Sequence, residues 1–160
     1  MRDDDFERLY EAQAQRLFGF LVYRTGDRAL AEDLLADTFE RALRARRRFD
    51  PRRGSEKTWL YAIALNLLRD HVRRAAAEDR ALERVGPGTP AADPGAGRVE
   101  ERDALQRALL TLSSEEREAI ALRFGAELTV PEIARALGEP LTTVEGRVYR
   151  ALRKLRDRLG

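Results

Sequence analysis

The chain has 160 residues, of which 43% are hydrophobic and 36% charged, with 30 basic and 28 acidic side chains; that fits one ordinary globular domain or two small ones. It has no cysteine and a single histidine, His71, which excludes a disulfide framework, a thiolate or paired-histidine metal site and a cysteine nucleophile. No apolar run approaches the roughly 18 residues of a membrane span, and the N-terminal MRDDDFERLY is acidic and polar, unlike a signal peptide. A cytoplasmic protein is expected, without membrane insertion, metal or cofactor.

The near-neutral balance hides a sorted distribution. Residues 1–40 hold five basic and ten acidic side chains, residues 41–53 seven arginines and one aspartate, and residues 146–160 six basic side chains and Asp157. Nearly all the basic residues are arginine; only Lys57 and Lys154 are lysine. Arginine presents a rigid fork that matches phosphate and guanine. The sorting suggests an acidic face for a protein partner and two basic faces for a polyanion, although alternating solvated helix faces would sort charge in the same way.

In chain order, residues 3–24 place Phe6, Leu9, Tyr10, Leu17, Phe18, Leu21 and Val22 near a 3.6-residue period, which predicts a first helix. Thr25-Gly26-Asp27 is a stop and turn. A second helix is predicted over 28–47, with Ala31, Leu34, Leu35, Phe39, Ala42 and Leu43 apolar. Residues 49–54 read as a loop. Ser55 can cap a third helix reaching about residue 80, with Trp59, Leu60, Ile63, Ala64, Leu67, Leu68 and Val72 apolar. Residues 84–98, RVGPGTPAADPGAGR, contain four glycines and three prolines and read as a flexible linker. Beyond it a helix is predicted over 99–110. Three capping-box signatures follow, Ser113–Glu116, Thr129–Glu132 and Thr142–Glu145, predicting helix starts near 114, 130 and 143. The expected architecture is all-α: two small helical domains, 1–83 and 99–160, joined by the 84–98 linker.

Residues 129–150, TVPEIARALGEPLTTVEGRVYR, read as a helix-turn-helix. Ala134 is small enough for two helices to cross. Gly138 tolerates the positive φ of a tight turn. Val144 and Val148 supply the inner face of a second helix, which would enter the major groove with its N-terminal residues at base edges. Thr143, Gly146, Arg147 and Arg150 fall on the other side, where arginine forks can take guanine and glycine permits close approach. Arg153, Lys154 and Arg156 continue toward phosphates. A plain αα-hairpin with a charged outer face is the alternative.

Three stretches, AEDLLADTFERAL (31–43), RFDPRRGSEKTWLYAIALNLLRDHVRR (48–74) and LSSEEREAIALRFGAELTVPEIARALGEPLTTVEGRVYRALRKLR (112–156), together resemble the extracytoplasmic-function sigma factors of the sigma-70 family of RNA polymerase. They occur in the family's order and cover most of the chain. The resemblance implies that 1–83 is region 2, which binds core polymerase and reads and melts the −10 element, and that 99–160 is region 4, whose helix-turn-helix reads the −35 element. It implies docking on the β′ clamp helices through Glu32, Asp33, Leu34, Asp37 and Glu40. It implies a −10 pocket for a flipped base at Tyr61, Ile63, Ala64 and Asn66, with Arg69, Arg73 and Arg74 on the strand's phosphates. The cluster Arg44, Arg46, Arg47, Arg48, Arg52 and Arg53 would flank that pocket. Trp59 reads as core, and Asp70 either as a family acid or as an intrahelical ion-pair partner.

In region 4 the resemblance implies −35 contacts at Thr143, Glu145, Gly146, Arg147, Tyr149, Arg150 and Arg153, and a contact with the β flap. Glu145 departs from the family's usual Lys or Arg; it can accept from cytosine N4, but completing the capping box with Thr142 is the favoured reading. Promoter DNA, core RNA polymerase and an anti-sigma factor are the implied partners, and no catalysis is expected. A stand-alone helix-turn-helix repressor or activator is the alternative, and it gives no reason for the 31–43 and 48–74 stretches.

Overall fold

The computed structural model describes residues 1–79 and 99–160, so the predicted linker lies outside the described residues. Among these there are seven α-helices, one 3-10 turn, one π turn and no strand: α1 (Asp3–Thr25), α2 (Arg28–Ala45), α3 (Glu56–Asp79), α4 (Val99–Leu110), α5 (Ser114–Ile120), α6 (Val130–Leu137) and α7 (Leu141–Leu159). The chain divides into two compact units, Met1–Ala91 with α1 to α3 and Ala92–Gly160 with α4 to α7.

In the first unit the helix ends follow local chemistry. Asp3, Asp4 and Asp5 occupy the first turn of α1, where the helix dipole favours negative charge. The helix stops at Gly26, whose φ of 67° is left-handed and whose N–H donates to the Val22 carbonyl at 2.8 Å. Asp27 then caps α2 by accepting from the Leu30 N–H at 3.2 Å. That helix ends two residues earlier than its predicted limit, tightening into a 3-10 turn at Arg46–Arg48. Ser55 Oγ accepts from the Thr58 N–H at 3.1 Å, so α3 starts where its cap predicts. The three helices close on Leu17, Leu21, Ala31, Ala42, Leu60 and Leu65, all fully buried. Each large aliphatic side chain so buried contributes roughly 1.5–3 kcal/mol. Phe39 meets Phe6 and Tyr10 edge-on, at centroid distances of 6.3 and 4.8 Å.

In the second unit two of the three capping boxes are formed. Ser113 Oγ accepts from the Glu116 N–H at 3.1 Å while Glu116 Oε1 accepts from the Ser113 N–H at 2.8 Å. Thr129 and Glu132 exchange the same pair at 3.3 and 2.9 Å. The third box is absent. Pro140 takes the cap position with φ −61° and ψ 144°, and its carbonyl already accepts from Thr143 and Val144. Thr142 is therefore inside the first turn, where its hydroxyl has no cap to make, and the helix starts at 141 rather than 143. Between α5 and α6 lies a π turn, Ala121–Gly125, in which the Ala126 N–H reaches the Ala121 carbonyl at 3.0 Å. The extra residue in that turn brings Leu122 and Ala126 into the core with Leu128 and leaves Phe124 outside.

Candidate nucleic-acid interface

In the first unit two helices offer contrasting charge. The outer face of α2 presents Glu32, Asp33, Asp37 and Glu40 to solvent. Glu40 pairs with Arg44 one turn on, at 2.6 Å. Asn66, Arg69, Arg73 and Arg74 are exposed on α3. Asp70 forms an ion pair with Arg73 one turn away, as its intrahelical reading expects. The intervening loop carries the arginine cluster, partly committed to structure. Arg46 donates to Asp3 at 2.9 Å and to the Leu43 carbonyl at 2.6 Å, and Arg52 reaches Asp50 at 3.4 Å. Arg47, Arg48 and Arg53 are exposed and carry no ion pair among the described residues. Trp59 is half-buried and tilts against Phe49 at 5.3 Å, so it closes the loop onto α3.

The second unit contains the two-helix turn. At the end of α6, Gly138 adopts φ 67°; its N–H donates to the Arg135 carbonyl at 3.2 Å and the Glu139 N–H to the Ala134 carbonyl at 3.0 Å. These bonds satisfy the last carbonyls of α6 and reverse the chain. Val144, Val148 and Ala151 anchor the inner face of α7. Thr143, Glu145, Tyr149, Arg150 and Arg153 point to solvent, Tyr149 being 67% exposed. Glu145, released from any capping role, makes no ion pair among the described residues. The outer face of α7 thus presents a carboxylate, hydroxyls, an aromatic ring and cations to solvent.

Comparison with known proteins decides what these surfaces belong to. The sigma-70 region 2 family model matches residues 9–78, and the sigma-70 region 4 model matches residues 102–155. RNA polymerase sigma factor CarQ of Myxococcus xanthus is 36% identical over 159 residues, covering 98% of this chain and 90% of its own. The chain belongs to the sigma-70 family of RNA polymerase sigma factors.

Within that family, ECF RNA polymerase sigma factor BldN of Streptomyces coelicolor is 33% identical over 95% of this chain, which spans 59% of BldN's own length. The sigma factor RpoE of Bartonella quintana, solved with the anti-sigma factor NepR, superposes with a TM-score of 0.82 at 25% identity, covering 97% of this chain and 96% of that one. The likeness places α1 to α3 of this sigma factor in region 2 and most of α4 through α7 in region 4.

Three of the expected contact positions of the sigma factor, Tyr61, Ala64 and Leu34, are buried. Tyr61 is 0% exposed, its ring edge-on to Phe20 at 6.0 Å, and Ala64 is equally buried. A base cannot touch either without opening the core. The cause is helical geometry: positions 60, 61, 64, 65 and 68 face α1 and α2, so Tyr61 shares the core stripe rather than the outer one. Burial pushes the Tyr61 phenol up to about 12, against a smaller lowering by the Arg16 charge, and its hydroxyl has no hydrogen-bond partner. Leu34 is 6% exposed and packs inward, so the α2 face offered to a partner is carried by its carboxylates with half-buried Leu35. Ile63, half-buried, and Asn66, exposed, do lie at the surface of α3.

Arg147, a fourth expected contact position, is also mostly covered, and the reason is electrostatic. Its side chain is only 12% exposed, with Nη1 2.7 Å from Glu139 Oε2 and Nη2 3.8 Å from Glu115 Oε2. It ties α7 to the turn and to α5. Glu115 and Glu139 were not legible as functional residues, since nothing in their spacing marks them as partners of position 147. A second long-range tie joins Lys154 Nζ to Glu116 Oε1 at 2.7 Å. Among the described residues no helix is long and apolar enough to cross a membrane and no metal-binding cluster occurs.

Proposed function

We propose that this sigma factor binds core RNA polymerase and reads a bipartite promoter, region 4 taking the −35 element through α7 and region 2 taking the −10 element through α3. The observation that carries the reading is the division of α7: valines and alanine inward, and Thr143, Glu145, Tyr149, Arg150 and Arg153 outward, beginning immediately after a left-handed glycine turn. A helix so anchored can enter a major groove. Arg150 suits guanine and Glu145 suits the N4 amine of cytosine, while Thr143 and Arg153 suit phosphates.

In region 2, Asn66 and Ile63 form the surface to which an unpaired base would dock, with Asn66 supplying a donor and an acceptor. Tyr61 and Ala64 support that surface from beneath. Arg69, Arg73 and Arg74 lie further along α3, in position to hold the backbone of a single strand. Capture of unpaired bases favours the melted promoter over the closed one, with no bond made or broken by the protein. The acidic face of α2 suits a basic partner helix on the polymerase clamp. Both regions are carried by one chain, so engaging both elements at promoter spacing gains from effective concentration. An anti-sigma partner in the cytoplasm completes the reading, supported by the complex in which RpoE was solved.

The test is transcription by purified core polymerase on a genomic fragment library, with and without the full-length protein. Defined transcripts below a shared two-part motif are the expected result. Binding of duplex DNA in the absence of polymerase, with no transcript, would replace this reading with a stand-alone regulator.

A further inference from the structure

Gly146 stands in the interior of α7, where glycine costs stability relative to any ordinary helix former. Its backbone is ordinary helix, with no left-handed φ to require glycine. Apart from the helix's own backbone, a Cβ placed there would meet a single group: Arg150, with Nη1 at 3.1 Å, Cζ at 3.8 Å and Nη2 at 3.9 Å. No core side chain and no other helix needs the space. The guanidinium of Arg150 has folded back one turn, as long helical side chains do toward the N-terminus, and its Nη1 reaches the space that a side chain at 146 would take.

We propose that Gly146 and Arg150 form a single specificity unit, in which the missing side chain at 146 seats the Arg150 guanidinium against the helix near its base-reading end. The proposal rests on the reading of α7 as the −35 reader. Seated there, the fork is displaced about one turn toward the N-terminal part of α7, the part that meets base edges, and it lies close to the helix surface. Beside it on the chain is the free carboxylate of Glu145. Together they would select a guanine through the fork and a neighbouring cytosine through Glu145. A methyl group at 146 would crowd Nη1 and lift the fork away from the helix.

The experiment uses full-length protein with core polymerase on a promoter library randomised across the upstream element. Four proteins are compared: the parent, Gly146→Ala, Arg150→Ala and the double variant. Gly146→Ala raises helix propensity, so its melting temperature should equal or exceed the parent's. The expected result is a loss of about tenfold in preference for one guanine-containing position in Gly146→Ala, comparable with a good bidentate contact. Arg150→Ala should lose preference at the same position, and the double variant should match Arg150→Ala. The proposal is overturned if Gly146→Ala leaves the preference intact, or if its effect is undiminished in the Arg150→Ala background. If Arg150→Ala transcribes with every upstream preference unchanged, the −35 reading of α7 itself has failed.

Discussion

Lys154 Nζ donates to Glu116 Oε1 at 2.7 Å across 38 residues of chain, and the same oxygen accepts the Ser113 N–H. One carboxylate therefore closes the N-terminus of α5 and holds the C-terminal half of α7. Burial pushes the Glu116 carboxyl up, but the bonds from Lys154 and from Ser113 outweigh it, and the net displacement is downward.

A carboxyl held below its unfolded value stabilises the fold above that value, and the contribution is lost as pH falls through the lowered native one. The contribution of Glu116 to region 4 should therefore be lost progressively as pH falls below the ordinary value of 4.5. Glu116→Gln should cost roughly 1–3 kcal/mol at neutral pH and remove that part of the pH dependence. Amide hydrogen exchange of α5 and α7 as a function of pH checks both statements.

Tyr61→Phe removes a buried hydroxyl that has no partner. Stability should change by less than about 1 kcal/mol or rise, and transcription from a −10-dependent promoter should be unchanged. A large loss of promoter opening with an intact fold would mean that the ring leaves the core to meet DNA. Because the phenol is raised to about 12, its contribution is complete below pH 10 and is lost as pH rises from about 10 toward 12. Ultraviolet titration of the phenolate, with unfolding followed in parallel, measures this directly.

Gly138→Ala forces a Cβ into a left-handed turn at φ 67°, although nothing lies within 4 Å of that Cβ. The penalty is conformational alone, about 1–2 kcal/mol, and Gly138→Asn should recover part of it. Thermal melting of the three proteins should rank Gly above Asn above Ala.

Arg147→Ala and Arg150→Ala should differ in kind. Loss of Arg147 breaks its tie to Glu139 across the turn, lowers the melting temperature and weakens all promoters by a similar factor. Loss of Arg150, exposed and without an ion pair among the described residues, should leave melting unchanged and alter base preference. Transcription profiles on the randomised upstream library, read beside melting curves, separate the two.

Much of this molecule was legible from short-range chemistry. The stop at Gly26, the caps at Asp27, Ser55, Ser113 and Thr129, and the turn at Gly138 each depend on groups within a few residues, so local sequence decides them. The inner face of α7 followed from period alone, because Val144 and Val148 have one side on which to hide. The third box failed even at short range, since Pro140 competed for the cap position and its fixed φ prevailed over the Thr142 hydroxyl. The π turn at Ala121–Gly125 has no local signal. It is stable because one extra residue lets Leu122, Ala126 and Leu128 share a core.

By itself, then, the sequence determined the helices, their order, the family and which two helices carry the candidate DNA contacts. Tertiary structure alone decided which side chains on those helices are available. Tyr61 and Asn66 lie on the same helix, yet packing against Phe20 closes the first while the second stays in water. Arg147 and Arg150 lie one turn apart, yet two glutamates from elsewhere in the fold hold the first. Helix formation is governed by neighbours along the chain, whereas burial and ion pairing depend on which surfaces meet in space.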